Sequence, residues 1–272
     1  SLADLAALDH FARSRDRQIR FHLKFDSGMA RLGTLAGVEA ILASYRGASH
    51  ARMEGLMTHF ASAADYSSQQ TDEQVAAFHR LQHQLSAGGV EPAYTHLSSS
   101  NAIAYGRREA WHSMVRAGHA IYGYLSQARG DTAPKAILDV KPALSWKTKI
   151  LLVKDIPQGA QIGYGGSFRA ARDMRIGILS VGYADGFPHR LSGKGRVIAG
   201  GRFAAILGTV SMDLTTIDLS AAPHLETGDE VTLLGQEGET KLDAQQIARV
   251  AGTISYNVLC SISARVRRVY VD

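Results

Sequence analysis

The feature that most constrains the fold is a change of hydrophobic rhythm close to residue 139. Before it, helical and strand-like periodicities alternate. Leu5, Leu8 and Phe11 recur at helical spacing within residues 3–15, Ile19–Phe25 has the look of a short strand, and Val38–Tyr45 is helical again. Met53–Met57 follows as a buried strand, Thr71–Leu85 as a helix opened by a Thr71 cap, and Ala93–Leu97 and Ser113–Arg116 as a third and a fourth strand. Polar residues gather after each strand, which is the grammar of a (β/α) barrel. Only about four such units fit before residue 138 and a closed barrel needs eight, so an α/β fold with a partial (β/α)8 (TIM) barrel is expected. Beyond Asp139 the texture turns to short alternating strands with glycine turns: Trp146–Val153, Arg175–Val181, Arg196–Ala199, Ala204–Leu207, Leu214–Leu219 and Glu230–Leu234. One helix is expected at Asp243–Val250, with Asp243 as its cap and Gly252 as its stop. Gly130, Pro134 and Pro142 punctuate the join, which divides the chain into a barrel domain at 1–138 and a β-rich domain at 139–272.

A chain of 272 residues with 45% hydrophobic content can bury a sizeable core. Its net charge of +5 comes from scattered Lys and Arg with no aromatic-interleaved basic patch. That pattern argues against nucleic-acid binding and suits small anions such as phosphate and carboxylate. The single Cys260 allows no internal disulfide, fits a reducing compartment, and sits in an apolar stretch that suggests packing. No apolar run is long enough to span a membrane and the first residues lack a signal-peptide pattern, so a cytoplasmic location is expected.

The string His22-Leu-Lys24-Phe-Asp26-Ser-Gly-Met-Ala-Arg31-Leu-Gly33 delivers a charged cluster from the first strand to a glycine-broken loop. Loops at strand ends are where chemistry gathers, and the planar fork of Arg31 matches a carboxylate or phenolate oxygen. Taken as residue types alone, the cluster also reads as a solvated set of ion pairs.

The whole string resembles the HLKxDTGMGRLG signature of alanine racemases, pyridoxal-phosphate (PLP) enzymes that interconvert L- and D-alanine. Collinear matches continue through Gly55–Phe60, Val115–Gly118, Tyr122-Gly123, Gly163–Gly165, Gly182–Gly186, Ser211–Asp213 and Gly252–Tyr256. The resemblance implies PLP as cofactor and assigns roles residue by residue. Arg116 is the partner of the pyridine nitrogen, and Ser100 and Gly118 hold the phosphate. The family pattern there is Asn-Ser followed by two small residues, where this chain has Ser98-Ser99-Ser100-Asn101. Arg31 meets the cofactor's phenolic oxygen and the substrate carboxylate, and Lys24 matches a lysine that is carbamylated in many members. Tyr164 matches the tyrosine that handles the proton on the L-alanine side, tuned through Arg116 and His59. Met212 and Asp213 match a carboxylate-binding loop that works through a backbone N–H, and Tyr183 and Tyr256 match aromatic walls of a narrow pocket. No metal is implied. Thr209 stands where the family usually carries an entrance arginine.

The resemblance further implies a homodimer with composite sites and a small-molecule substrate, alanine. It covers the C-terminal two-thirds of the family pattern. The lysine that holds the cofactor covalently lies in a KANAYGHG motif in the family, and none of the eight lysines here has that context. The expectation is therefore a racemase chain inactive without a lysine-bearing segment. A broad-specificity racemase of the same fold and a non-catalytic ligand-binding relative stay open as alternatives.

Overall fold

The computed structural model describes residues 1–271 and separates into two compact units, Ser1–Lys141 and Pro142–Asp272. In the first unit the order is α1 (Leu2–Ser14), β1 (Ile19–Lys24), α2 (Val38–Gly47), β2 (Ala51–Met57), α3 (Gln70–Ala87), β3 (Tyr94–His96) and α4 (Ser100–Ala104). The three strands form one parallel sheet in the order β1-β2-β3. Its register levels Lys24 with Met57 and Met57 with His96, so three strand ends open onto one rim. Ile41 of α2, Phe78 and Leu85 of α3, Leu56 of β2 and Leu97 after β3 are fully buried together. Each such side chain contributes about 1.5–3 kcal/mol relative to exposure. Buried Asp9 of α1 accepts from the backbone N–H groups of His50 (2.6 Å) and Ala51 (3.1 Å), which fixes the start of β2.

Three expectations are corrected. Ser113–Arg116 is not a strand: its ladder pairing is limited to an isolated parallel bridge between Ser99 and Arg116, and Ser113 Oγ accepts from Thr95 N (2.8 Å) where a backbone carbonyl would have paired. His112 precedes it at φ +50, so the chain enters the segment bent rather than extended. Thr71 does not cap α3. The helix begins at Gln70, whose N–H is taken by Ser68 Oγ, and Thr71 lies buried inside the first turn. Cys260 is exposed rather than packed.

The second unit contains β4 (Trp146–Ile156), β5 (Gln161–Ile162), β6 (Phe168–Arg169), β7 (Met174–Leu179), β8 (Arg196–Ala199), β9 (Arg202–Leu207), β10 (Thr215–Asp218), β11 (Glu230–Glu237), β12 (Thr240–Leu242), α5 (Ala244–Ala251) and α6 (Ser255–Ser261). Its main sheet is antiparallel in the order β12-β11-β4-β7-β10-β9-β8, and β8 returns to β11 through Ile198 and Thr232. Six strands thus close into a ring that leaves no long free edge within it. Val197, Leu179, Ile217, Val231 and Leu233 are fully buried in this unit. Asp243 caps α5 in a reciprocal box with Gln246, and Gly252 ends the helix in the left-handed conformation. Removing such a cap costs about 1 kcal/mol. The architecture is a partial (β/α)8-type layer followed by a β-rich domain. Among the described residues no helix is long and apolar enough to cross a membrane.

Candidate active site

Lys24 ends β1, and the loop after it is built by Asp26. One carboxylate oxygen, Oδ1, accepts from the N–H groups of Gly28 (3.0 Å), Met29 (2.9 Å) and Ala30 (3.1 Å), and these bonds hold its pKa below the usual carboxylate value. The loop closes where Asp26 N donates to Thr34 O and Thr34 N donates to Lys24 O. Gly33 makes the closure possible: its φ is +123, and a Cβ there would lie 2.8 Å from Asp26 N. Ala30 adopts φ +55 at the place where the signature carries glycine. This tight loop presents Arg31 as an exposed side chain.

Past β2 and β3, Arg116 inserts its guanidinium among strand-end carbonyls. Nη1 donates to His96 Nδ1 (2.5 Å) and His96 O (3.0 Å). Nη2 reaches Thr58 O (2.7 Å), Leu97 O (3.1 Å) and His59 Nδ1 (3.3 Å). Among the described residues Nε has no partner, so one donor of a rigid cation is left over. Gln74, buried on α3, donates to His59 O (3.2 Å) and Ser27 Oγ (3.1 Å) and accepts from Ala61 N (3.0 Å). It ties the Arg31 loop to the His59 segment.

The first unit therefore gathers Lys24, Arg31, His59 and Arg116 into one electrostatically coupled group. Burial, then Arg31 and Arg116, lowers the Lys24 amine from its usual value. Burial, then Arg116, Arg31 and Lys24, lowers His59, which stays neutral at pH 7 and can accept from Arg116. Such a concentration of positive charge suits phosphate, carboxylate and phenolate groups. Beside it Ser100 Oγ accepts from Gly118 N (2.9 Å) and Ala120 N (3.1 Å), which occupies both lone pairs and leaves its O–H to donate. Gly118 faces open space where a side chain would stand, whereas Ser98 Oγ is committed to Ala110 O (2.7 Å).

In the second unit Tyr164, 78% exposed, rides on a short helical turn flanked by Gly163 and Gly165 at positive φ. That turn packs on the next loop so closely that a Cβ at Gly163 would lie 3.0 Å from Thr209 N, and Ser167 Oγ meets Thr209 Oγ1 at 3.2 Å. The same loop continues to Met212 and Asp213. Its carbonyls are engaged by the Tyr183 turn: Tyr183 N donates to Ser211 O and Ala184 N to Met212 O, both at 3.0 Å. The N–H groups of Met212 and Asp213 have no partner among the described residues. Tyr183, Met212 and Tyr256 are all exposed.

Residues 1–126 match the family model described as alanine racemase, N-terminal domain, and residues 143–270 match alanine racemase, C-terminal domain. The alanine racemase of Symbiobacterium thermophilum is 37% identical over 265 residues, covering 97% of this chain and 69% of that protein. The chain belongs to the alanine racemase family. The alanine racemase of Halothermothrix orenii is 40% identical over 253 residues, 92% of this chain and 65% of its own length. The chain thus spans about two-thirds of the length of the curated relatives it matches. Among solved structures, alanine racemase from Bacillus anthracis with bound L-Ala-P superposes with a TM-score of 0.90 at 29% identity, over 100% of this chain and 69% of that one. Alanine racemase from Bartonella henselae with covalently bound pyridoxal phosphate gives 0.82 at 26% identity, over 100% and 72%.

Within this racemase-family chain the residues missed from sequence are those that act through others. His96 and Gln74 lie in regular elements and carry no motif of their own. A histidine at the buried end of β3, and a glutamine on the inward stripe of α3, were the available signals.

Proposed function

We propose that the protein containing this chain interconverts L- and D-alanine with pyridoxal phosphate. The observation that carries the reading is Arg116, whose guanidinium is immobilised by His96, Thr58, Leu97 and His59 with Nε unengaged among the described residues. The residues present fit the cofactor: Nε would meet the pyridine nitrogen, while the O–H of Ser100 beside Gly118 would meet the phosphate. Tyr256 is read as a further cofactor-binding residue and an aromatic wall. When bound, pyridoxal phosphate withdraws electron density from the alanine Cα–H bond.

Arg116 donates a hydrogen bond and keeps its own proton, so it holds a ring nitrogen in the unprotonated state. Arg31 binds the phenolic oxygen and the substrate carboxylate, and Lys24, depressed by burial and two arginines, is the amine best placed for carbamylation. The free N–H of Met212 receives the carboxylate, with Asp213 shaping the loop. Tyr183 narrows the pocket so that a methyl side chain fits and larger ones are excluded. His59 accepts from Arg116 on Nδ1, which leaves Nε2–H to stabilise the phenolate of Tyr164. That phenolate takes and returns the proton on one face of the α-carbon.

The reading includes a homodimer in which Tyr164, the Met212–Asp213 loop and the Gly182–Gly186 segment of the partner subunit complete each cluster. It places the enzyme in the cytoplasm, where the single Cys260 needs no partner. Residues 1–272 by themselves are proposed to be inactive, since seven of the eight lysines are exposed and Lys24 already has a role. The test is alanine racemisation by the PLP-loaded protein together with its Arg116→Ala variant. The variant is expected to racemise more slowly while forming more pyruvate per turnover, because the ring nitrogen is then free to protonate. An unchanged pyruvate ratio would make Arg116 structural, and absence of racemisation in the wild-type protein would sink the reading.

A further inference from the structure

The second unit carries a junction that the family signatures leave without a role. Two separate segments pack against the Tyr183–Asp185 turn. The loop at Ser211–Asp213 lies against it so closely that a Cβ on Gly182 would overlap the Ser211 and Met212 carbonyls. The end of α6 lies on the other side: Ser261 Oγ donates to Gly186 O (3.2 Å) and Ser263 N to Asp185 O (2.9 Å). Asp185 holds the turn from within, its Oδ2 accepting from Gly182 N at 2.9 Å.

Arg265 spans this junction. Its Nη2 donates to Asp213 Oδ1 at 2.7 Å, and its Nε approaches Asp185 Oδ1 at 3.3 Å. The backbone that delivers it is itself fastened, because Arg265 N donates to Ser263 Oγ and the Arg268 guanidinium binds the carbonyls of Ile262, Ser263 and Val266. One cation therefore bridges two carboxylates on the two loops that carry Tyr183 and Met212.

The electrostatic need for it is specific. The unpartnered N–H groups of Met212 and Asp213 can receive an anion. Yet the Asp213 side chain puts a negative charge on the same loop, and an uncompensated carboxylate there would repel another carboxylate. Resting on the racemase reading, we infer that Arg265 is a positioning and charge-compensating residue that makes the Met212–Asp213 loop receptive to a carboxylate ligand. It touches neither substrate nor reacting atoms. It cancels the charge of Asp213 and holds the loop in register with the Tyr183 turn.

The test uses the PLP-loaded protein with Arg265→Gln, Arg265→Lys and Asp213→Asn, and follows the Met212 methyl NMR signal during titration with acetate and, separately, with acetamide. The pair is half exposed, so Arg265→Gln is expected to weaken acetate binding and raise KM for both alanine enantiomers by only about fivefold. The acetamide midpoint and kcat should move less than twofold by the same reasoning, since neither senses the Asp213 charge. Arg265→Lys should recover most of the loss, and in the Asp213→Asn background Arg265→Gln should add little. Equal weakening of acetate and acetamide, or an unchanged acetate midpoint, would overturn the inference. A wild-type protein that binds acetate in this way without racemising alanine would refute the racemase reading and leave the role of Arg265 standing.

Discussion

Nη1 of Arg116 lies 2.5 Å from Nδ1 of His96, and since an arginine can only donate, that contact fixes the histidine tautomer. Nδ1 is the acceptor, so the proton sits on Nε2 and donates to His22 Nδ1 at 2.7 Å. His22 then carries its own proton on Nε2, turned toward Glu54 Oε2 at 3.8 Å. A directed pair of hydrogen bonds runs from the proposed pyridine partner through His96 to His22.

Burial, then Arg116 and His22, pushes the His96 pKa down to about 4. The folded protein keeps His96 neutral to that pH, whereas the unfolded chain takes up a proton at about 6.5. Stability is therefore expected to fall as pH drops from about 6.5 to 4, because the unfolded state binds more protons there. In His96→Leu the slope of melting temperature against pH across this window should shrink, and an unchanged slope would refute the depressed His96 pKa. Racemisation by the same variant should fall about tenfold or more as Arg116 loses its lateral support.

The loop that presents Arg31 supplies a stability prediction of opposite sign at neighbouring positions. Ala30 sits at φ +55, where a side chain costs about 1 kcal/mol, so Ala30→Gly should leave the protein equally or more stable. Gly33→Ala should destabilise by more than about 1 kcal/mol, because its Cβ would meet the Asp26 and Phe25 backbone. Chemical unfolding at unchanged m-value measures both. A destabilised Ala30→Gly or a tolerated Gly33→Ala would contradict this account of the loop.

Tyr164→Phe tests the one-sided placement of the phenol. Solvent deuterium exchange starting from L-alanine should be lost far more than exchange starting from D-alanine. Equal losses from both enantiomers, with external steps shown not to limit the rate, would remove Tyr164 from its proposed face.

The regular elements were largely legible because their signals are local. Asp243 and Gly252 bracket α5 as cap and left-handed stop, and β1 runs Ile19–Lys24 where Ile19–Phe25 was expected. Closure of the second unit was not legible, since it depends on Ile198 meeting Thr232 across strands with no shared motif. Ser113–Arg116 misled for a related reason: its short apolar pair, Met114-Val115, is compatible with a strand, but Ser113 pairs with Thr95 through a side chain. The motif residues of the first unit do come together. Their supports, His96 and Gln74, were hidden because a hydrogen bond spanning twenty residues or linking a helix to a loop leaves no periodicity behind.

The lysine inventory gives the last prediction. Lys135, Lys141, Lys147, Lys149, Lys154, Lys194 and Lys241 are exposed, while Lys24 alone is partly buried and lies within the cationic group. A lysine that holds the cofactor covalently must be near both the ring partner and the phosphate site, and Lys24 shares a neighbourhood with Arg116. Its lowered pKa makes it a nucleophile toward carbon dioxide as readily as toward an aldehyde. Incubation of residues 1–272 with pyridoxal phosphate, borohydride reduction and peptide mapping should therefore give no stoichiometric label at the seven exposed lysines and no alanine racemisation. A single fully labelled lysine accompanied by racemisation would show that these 272 residues carry their own covalent anchor. If that lysine were Lys24, its assignment to carbamylation would fall with it.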